Sequence, residues 1–133
     1  AHAEEAHVAA AEGLFGAIGK TVRISEGLMD VVTALSASGP GFVFLVIEAL
    51  ADAGVQHGLT FEQARVLAAQ TLLGAATMVL EGDDHPAVLK TRVTSPGGTT
   101  AAGLDELERS GVRAAFSRAI AAATRRSRDL GST

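Results

Sequence analysis

From Leu28 to the C-terminus, the spacing of apolar and polar positions is helical, broken by short clusters of Gly, Pro, Ser and Asp. Leu28 to Leu35 reads as a helix and Ser36 to Gly41 (SASGPG) as a break. Pro40 suits the first turn of the next helix, where its missing N–H costs nothing. That helix runs to about Val55, with Gly54 and Gly58 as candidate stops. Thr60-Phe61-Glu62-Gln63 has the spacing of a capping box and opens a helix to about Glu81. In it Val66, Leu67, Leu72, Leu73, Met78, Val79 and Leu80 surround the axis, and a helix apolar on all sides must be covered on all sides. Gly82 to Pro86 is a polar turn that starts a short helix, Pro86 to Arg92, with an Asp available as its cap. A helix from about Thr99 to Arg109 follows, Ser110-Gly111 breaks the chain, and the closing helix puts Val112, Ala115, Phe116, Ala119, Ile120 and Ala123 on one face.

The N-terminal part differs. Residues 2–17 have an Ala- and Glu-rich helical composition, and Gly19 is placed to stop that helix. Lys20 to Ser25 (KTVRIS) then alternates Val22 and Ile24 with polar residues, a short strand pattern. A lone strand in a helical chain suggests the edge of a neighbouring α/β domain that has been cut away; pairing of two such strands across a dimer is the alternative.

The chain of 133 residues is 47% hydrophobic yet has 5 Phe and neither Tyr nor Trp. Its core must be built from Ala, Leu, Val and Ile, and Ala-rich helices each bury little area, so several must share faces before burial outweighs ordering entropy. This favours a helical oligomer. A net charge of −4 argues against a nucleic-acid surface. The one basic cluster, Arg125, Arg126 and Arg128, reads as cations at a helix C-terminus. Absence of Cys excludes disulfides and thiolate sites and fits a cytoplasmic protein. Nothing at the N-terminus has the pattern of a signal peptide. The apolar run Gly41 to Ala51 is interrupted by Glu48 and followed by Asp52, far short of the ~20 apolar residues of a membrane span, so no membrane partner is expected and a buried helix is.

The usual cofactor motifs are missing. Gly13, Gly16 and Gly19 are spaced G-x-x-G-x-x-G in and after a helix, not G-x-G-x-x-G after a strand, and there is no P-loop. His2, His7, His57 and His85 lack paired metal-ligand spacing, and Asp83-Asp84-His85 reads as a solvated, helix-capping turn, so no metal is expected. The stretch Val93 to Leu104 (VTSPGGTTAAGL) carries more chemistry. Gly97 and Gly98 remove the Cβ atoms that would keep a ligand from the backbone, and Thr99 and Thr100 add hydroxyls at a helix start where free N–H groups and the positive dipole end coincide. Ser95 can add one more hydroxyl. That is a recipe for holding a carboxylate or phosphate, and also the composition of a plain capped turn. Thr33 with Ser36, Ser38, Gly39 and Pro40 is a second cluster of the same kind, again open to reading as a cap.

Two hydroxyl-rich helix starts of this wording, with Glu48-Ala49-Leu50-Ala51-Asp52-Ala53-Gly54-Val55, Ala69-Gln70-Thr71-Leu72-Leu73-Gly74-Ala75-Ala76 and His85-Pro86, make the chain from about Leu28 to its end resemble the C-terminal domain of the pyrroline-5-carboxylate reductases. Val93-Thr94-Ser95-Pro96-Gly97-Gly98-Thr99-Thr100 is close to that family's signature. The resemblance implies an all-α, Ala-rich helical bundle over 28–133 that forms an interleaved homodimer, and in some members a decamer. It makes residues 1–27 a helix-strand remnant of a truncated Rossmann domain. It implies hydride transfer from NADPH or NADH to the C=N bond of 1-pyrroline-5-carboxylate, giving L-proline, by the full-length enzyme, with no cofactor bound by this chain alone and no activity of its own. Ser95, Thr99 and Thr100 with the N–H groups of Gly97-Gly98 would hold the substrate carboxylate, and Thr33 would donate a proton to the ring nitrogen. Ala37, where the family commonly has Gly, and Gly41-Phe42, in place of a common Ala-Tyr, are departures beside that pocket. The rival readings are a non-catalytic oligomerisation module and the dimerisation domain of another two-domain imine or 2-hydroxy acid reductase.

Overall fold

The computed structural model describes residues 3–132. In chain order these form α1 (Glu5–Gly16), a 3-10 turn (Glu26–Leu28), α2 (Met29–Val32), a π turn (Thr33–Ala37), α3 (Gly39–Gln56), α4 (Phe61–Glu81), α5 (Pro86–Arg92), α6 (Thr99–Arg109) and α7 (Val112–Gly131). The fold is all-α, as its apolar periodicity predicts. Pro40 lies in the first turn of α3. The capping box at the head of α4 is closed from both sides: Gln63 N–H donates to Thr60 Oγ1 at 3.3 Å, and Thr60 N–H donates to Gln63 Oε1 at 3.0 Å.

The structure corrects the sequence reading in three places. The expected break at Ser36 to Gly41 is a widened turn inside a continuous helical run, Glu26–Gln56. Ser38 N–H donates to Thr33 O at 2.9 Å, one residue further than an α-helical bond, and Ser36 Oγ donates back to Val32 O at 3.0 Å. Small hydroxyl residues satisfy the backbone locally, so an extra residue is accommodated without ending the helix. Second, α5 is capped by His85, whose Nδ1 accepts from Ala87 N–H at 3.1 Å, and not by an Asp. Asp84 is instead engaged by Arg92, Nη2 to Oδ1 at 3.2 Å. Third, Lys20 to Ser25 forms no strand, and no strand occurs among the described residues. A strand is defined by a neighbour to pair with, and among the described residues the segment has no strand beside it and is tied to α1 by side chains. Arg23 donates Nε and Nη2 to the Glu12 carboxylate at 2.6 and 2.8 Å, and Nη1 lies 2.8 Å from Glu5 on the same helix. The Arg23 hydrogen bond holds the Glu12 carboxyl below the ordinary carboxylate range.

Helices α3 and α4, joined by a short link, pack through small residues: Ala51, Ala64 and Ala68 are buried between them. A Cβ placed on Gly54 would come within 3.0 Å of Ala64 Cβ, so the two backbones are at closest approach there. Helix α7 packs on α2 and the π turn, and α6 packs on α7.

Among the described residues the interior holds little more than this, with Thr124 on α7 the one buried polar residue. The buried apolar residues are Ala34, Ala51, Ala64 and Ala68, whereas Phe44 is 68% exposed and Leu80 65%. A compact protein of this mass exposes about 6,500 Å², but this chain exposes 10373 Å². The excess, roughly 3,900 Å², is several times the ~800 Å² that one partner contributes to a standard interface. The Gly41 to Ala51 segment, expected to be a buried helix too short to span a membrane, is part of the longer run Glu26–Gln56, which is apolar and long enough to cross one by length and composition, and 6% of its most apolar window is buried in the single chain. Its cover has to come from outside the chain.

Because Ala64 sits at the closest approach of α3 and α4, Ala64→Leu is expected to overpack the pair and cost about 1–3 kcal/mol. Urea unfolding followed by circular dichroism measures this, and an unchanged midpoint would contradict the packing described.

Candidate functional site

The turn between α5 and α6 is built residue by residue from its composition. Thr94 closes α5, its Oγ1 donating to Lys90 O at 2.6 Å. Ser95-Pro96-Gly97-Gly98 then forms a tight turn in which Gly98 N–H donates to Ser95 O at 3.0 Å. Proline at the second position and a φ of +67° at Gly97 are the pattern of a type II turn, which favours glycine at the third. Gly98 is the N-cap residue of α6, and a Cβ there would lie 2.3 Å from Ser95 Oγ and 3.2 Å from Ser95 O. The two glycines therefore have separate causes, one a backbone angle and the other a close approach.

The start of α6 has no side-chain cap and no acidic residue in its first turn. The plain alternative, a Ser or Thr acting as N-cap, is not what the chain does. The amides at the head of α6 lack intrahelical acceptors, as in any helix, and here no side chain of the helix answers them. The hydroxyls of Ser95, Thr99 and Thr100 also hold no hydrogen bond among the described residues. Thr100 and Gly98 are half-buried, and Ser95, Gly97 and Thr99 are exposed. Open N–H groups, three uncommitted hydroxyls and an unneutralised positive dipole end thus occur within one short segment, a composition that suits a small anion such as a carboxylate.

Thr33 is placed elsewhere. It begins the π turn and opens into a concavity of about 230 Å³ against α7, shared with Ser38, Ala123, Arg126, Ser127 and Leu130. None of Ser95 to Thr100 lines that concavity. Within one chain the structure therefore assembles the Ser95–Thr100 group as one unit and leaves Thr33 in a second, separate one.

Arg126 and Ser127 escaped the sequence reading. Arg126 was absorbed into the basic cluster at the end of α7, and only Arg128 of that cluster lies in the last turn. Nothing local in the sequence marks Ser127, because its partner is 97 positions away: its Oγ donates to Asp30 Oδ1 at 2.7 Å. Arg128 Nε lies 3.7 Å from the other oxygen of Asp30.

Compared with known proteins, residues 26–130 match the family described as pyrroline-5-carboxylate reductase dimerisation, a domain that implies self-association. The pyrroline-5-carboxylate reductase of Arabidopsis thaliana is 57% identical over 117 residues, which are 88% of this chain and 42% of the plant protein. That of Methanosarcina acetivorans is 53% identical over 122 residues, 92% of this chain and 45% of its own length. The chain thus spans a little under half of these curated relatives. Among solved structures, a pyrroline-5-carboxylate reductase from Coxiella burnetii superposes with a TM-score of 0.92 at 40% identity, covering 96% of this chain and 48% of that one. The Plasmodium falciparum pyrroline carboxylate reductase with NADP bound gives 0.87 at 36% identity, covering 98% of this chain and 52% of the other.

Gly97→Ala places a Cβ in the left-handed region and is expected to cost about 1–2 kcal/mol of stability. Chemical denaturation checks this, and equal stability of variant and parent would contradict the turn geometry.

Proposed function

The chain belongs to the pyrroline-5-carboxylate reductase family, and on that premise we propose that it is the substrate-binding and self-associating half of an enzyme that reduces 1-pyrroline-5-carboxylate to L-proline. The observation that supports this most is the uncapped start of α6, where the first-turn amides and the nearby Ser95, Thr99 and Thr100 hydroxyls have no side-chain partner. There the carboxylate of the cyclic imine accepts from the N–H groups of Thr99 and Thr100, with the Ser95, Thr99 and Thr100 hydroxyls as further donors; the Gly98 N–H, expected from the sequence to take part, is already committed to Ser95 O at 3.0 Å. A fixed carboxylate orients the ring, and orientation is most of what the protein must supply when the hydride belongs to a cofactor.

NADPH or NADH supplies that hydride. The residues of this chain do not fit a dinucleotide, since Gly13 and Gly16 lie within α1 and follow no strand. The cofactor is held by a nucleotide domain outside these residues, of which residues 1–27 are the remnant, with 28–133 forming the helical domain. Protonation of the ring nitrogen falls to Thr33, whose hydroxyl faces a concavity. Within one chain that concavity is separate from the α6 start, so the second chain of an interleaved homodimer, or of a decamer built from such dimers, completes the arrangement. The partner chain also covers the apolar Glu26–Gln56 run, which removes the need for a membrane and suits a cytoplasmic enzyme. The exposed apolar area equally favours a purely self-associating module, and ligand binding at α6 separates the two readings.

The purified chain of 133 residues is expected to give no turnover of pyrroline-5-carboxylate with NADPH, followed by absorbance of the reduced nicotinamide; measurable turnover would contradict the proposed division of labour. L-proline titrated into the labelled chain should shift the amide resonances of residues 97–100. Thr99→Val should weaken that binding roughly tenfold, the loss of one hydrogen bond to a charged group. Shifts confined to other helices would favour the self-associating module.

A further inference from the structure

Ser127 Oγ donates to Asp30 Oδ1 at 2.7 Å across 97 positions of sequence. Both groups are half-buried, and Arg128 Nε stands 3.7 Å from the second Asp30 oxygen, so the carboxylate bridges α2 to two consecutive residues of α7. Thr33 lies three residues after Asp30, one helical turn on and on the same face, and it begins the π turn. Thr33 and Ser127 line the same concavity. A π turn interrupts the regular i→i−4 ladder of a helix. The rotation of Thr33 about the helix axis therefore depends on what anchors the turn at either end. After it, Ser38 N–H donates to Thr33 O. Before it, Asp30 anchors α2 to α7 by a directed side-chain bond, beside the direct packing of the turn on α7.

We infer that Asp30 is a positioning residue: by accepting from Ser127 it sets the rotation of α2 against α7 and so aims the Thr33 hydroxyl into the concavity. Asp30 does this without touching Thr33's hydroxyl, through the backbone of the turn it anchors. The inference rests on the reading of Thr33 as the proton donor, and its test separates the two. Nuclear magnetic resonance of the Thr33 methyl group, in the full chain, reports the aim directly. Asp30→Asn and Ser127→Ala should both move the Thr33 signal and leave that of Thr71, on α4, in place, while Ser127→Thr, which restores a hydroxyl, should return Thr33 towards its original position. Thermal unfolding identifies any variant that has lost its fold, and Ser127→Ala keeps the Asp30 charge beside Arg128 should Asp30→Asn unfold.

In an active reductase carrying this chain, Asp30→Asn should lower kcat roughly tenfold with KM nearly unchanged, and should cause no further loss when Thr33 is already Val. A Thr33 signal unmoved in both variants would overturn the inference, as would an Asp30→Asn loss of kcat that persists in full in the Thr33→Val background. If instead the signal moves while Thr33→Val keeps its kcat, Asp30 positions the turn as inferred and the proton-donor reading of Thr33 fails.

Discussion

Uncovered apolar surface is unfavourable by about 25 cal/mol per Å², and in this chain that penalty falls on helices that are apolar all round. Alanine lets two helices approach closely, as at Gly54 and Ala64, but an Ala-built contact removes little area from water. The long side chains of α3 and α4 point outwards instead, with Leu45 63% exposed and Leu73 60%. Everything else follows from supplying that cover. The Glu26–Gln56 run stays in water-soluble company only if another chain lies along it, and the match of residues 26–130 to a dimerisation domain names the kind of surface that does so.

The same constraint bears on where the open polar groups sit. A domain devoted to apolar contact has few polar places, and they occur where the helices are interrupted: the π turn at Thr33 and the turn before α6. At the latter, the polar groups are left open because no local side chain closes them. Under the proposed function, the open donors at α6 and the concavity beside Thr33 are each half of a binding arrangement, and self-association and substrate binding become two consequences of one fold.

Much of this was legible in the sequence because the signals are local. Thr60 with Gln63 and Pro40 in a first turn each act within one helical turn, and α5 and α6 run between the Pro and Gly breakers that bound them. The wording at Ser95 to Thr100 carried both the turn and the family. What was not legible depends on partners far along the chain or outside it. Val22 and Ile24 alternate as a strand does, but pairing needs a neighbour, and Arg23 found only Glu12 and Glu5. The SASGPG segment reads as a break because composition does not distinguish a chain that leaves a helix from one that widens a turn. Asp30 and Ser127 meet only because α2 and α7 pack together.

The dependence on a second chain is tested most directly by light scattering coupled to size exclusion on the purified chain. The account predicts a mass that is a multiple of 13.5 kDa, two or more chains per particle. A stable, fully helical particle of 13.5 kDa would contradict it, since helices apolar on every side would then be standing in water.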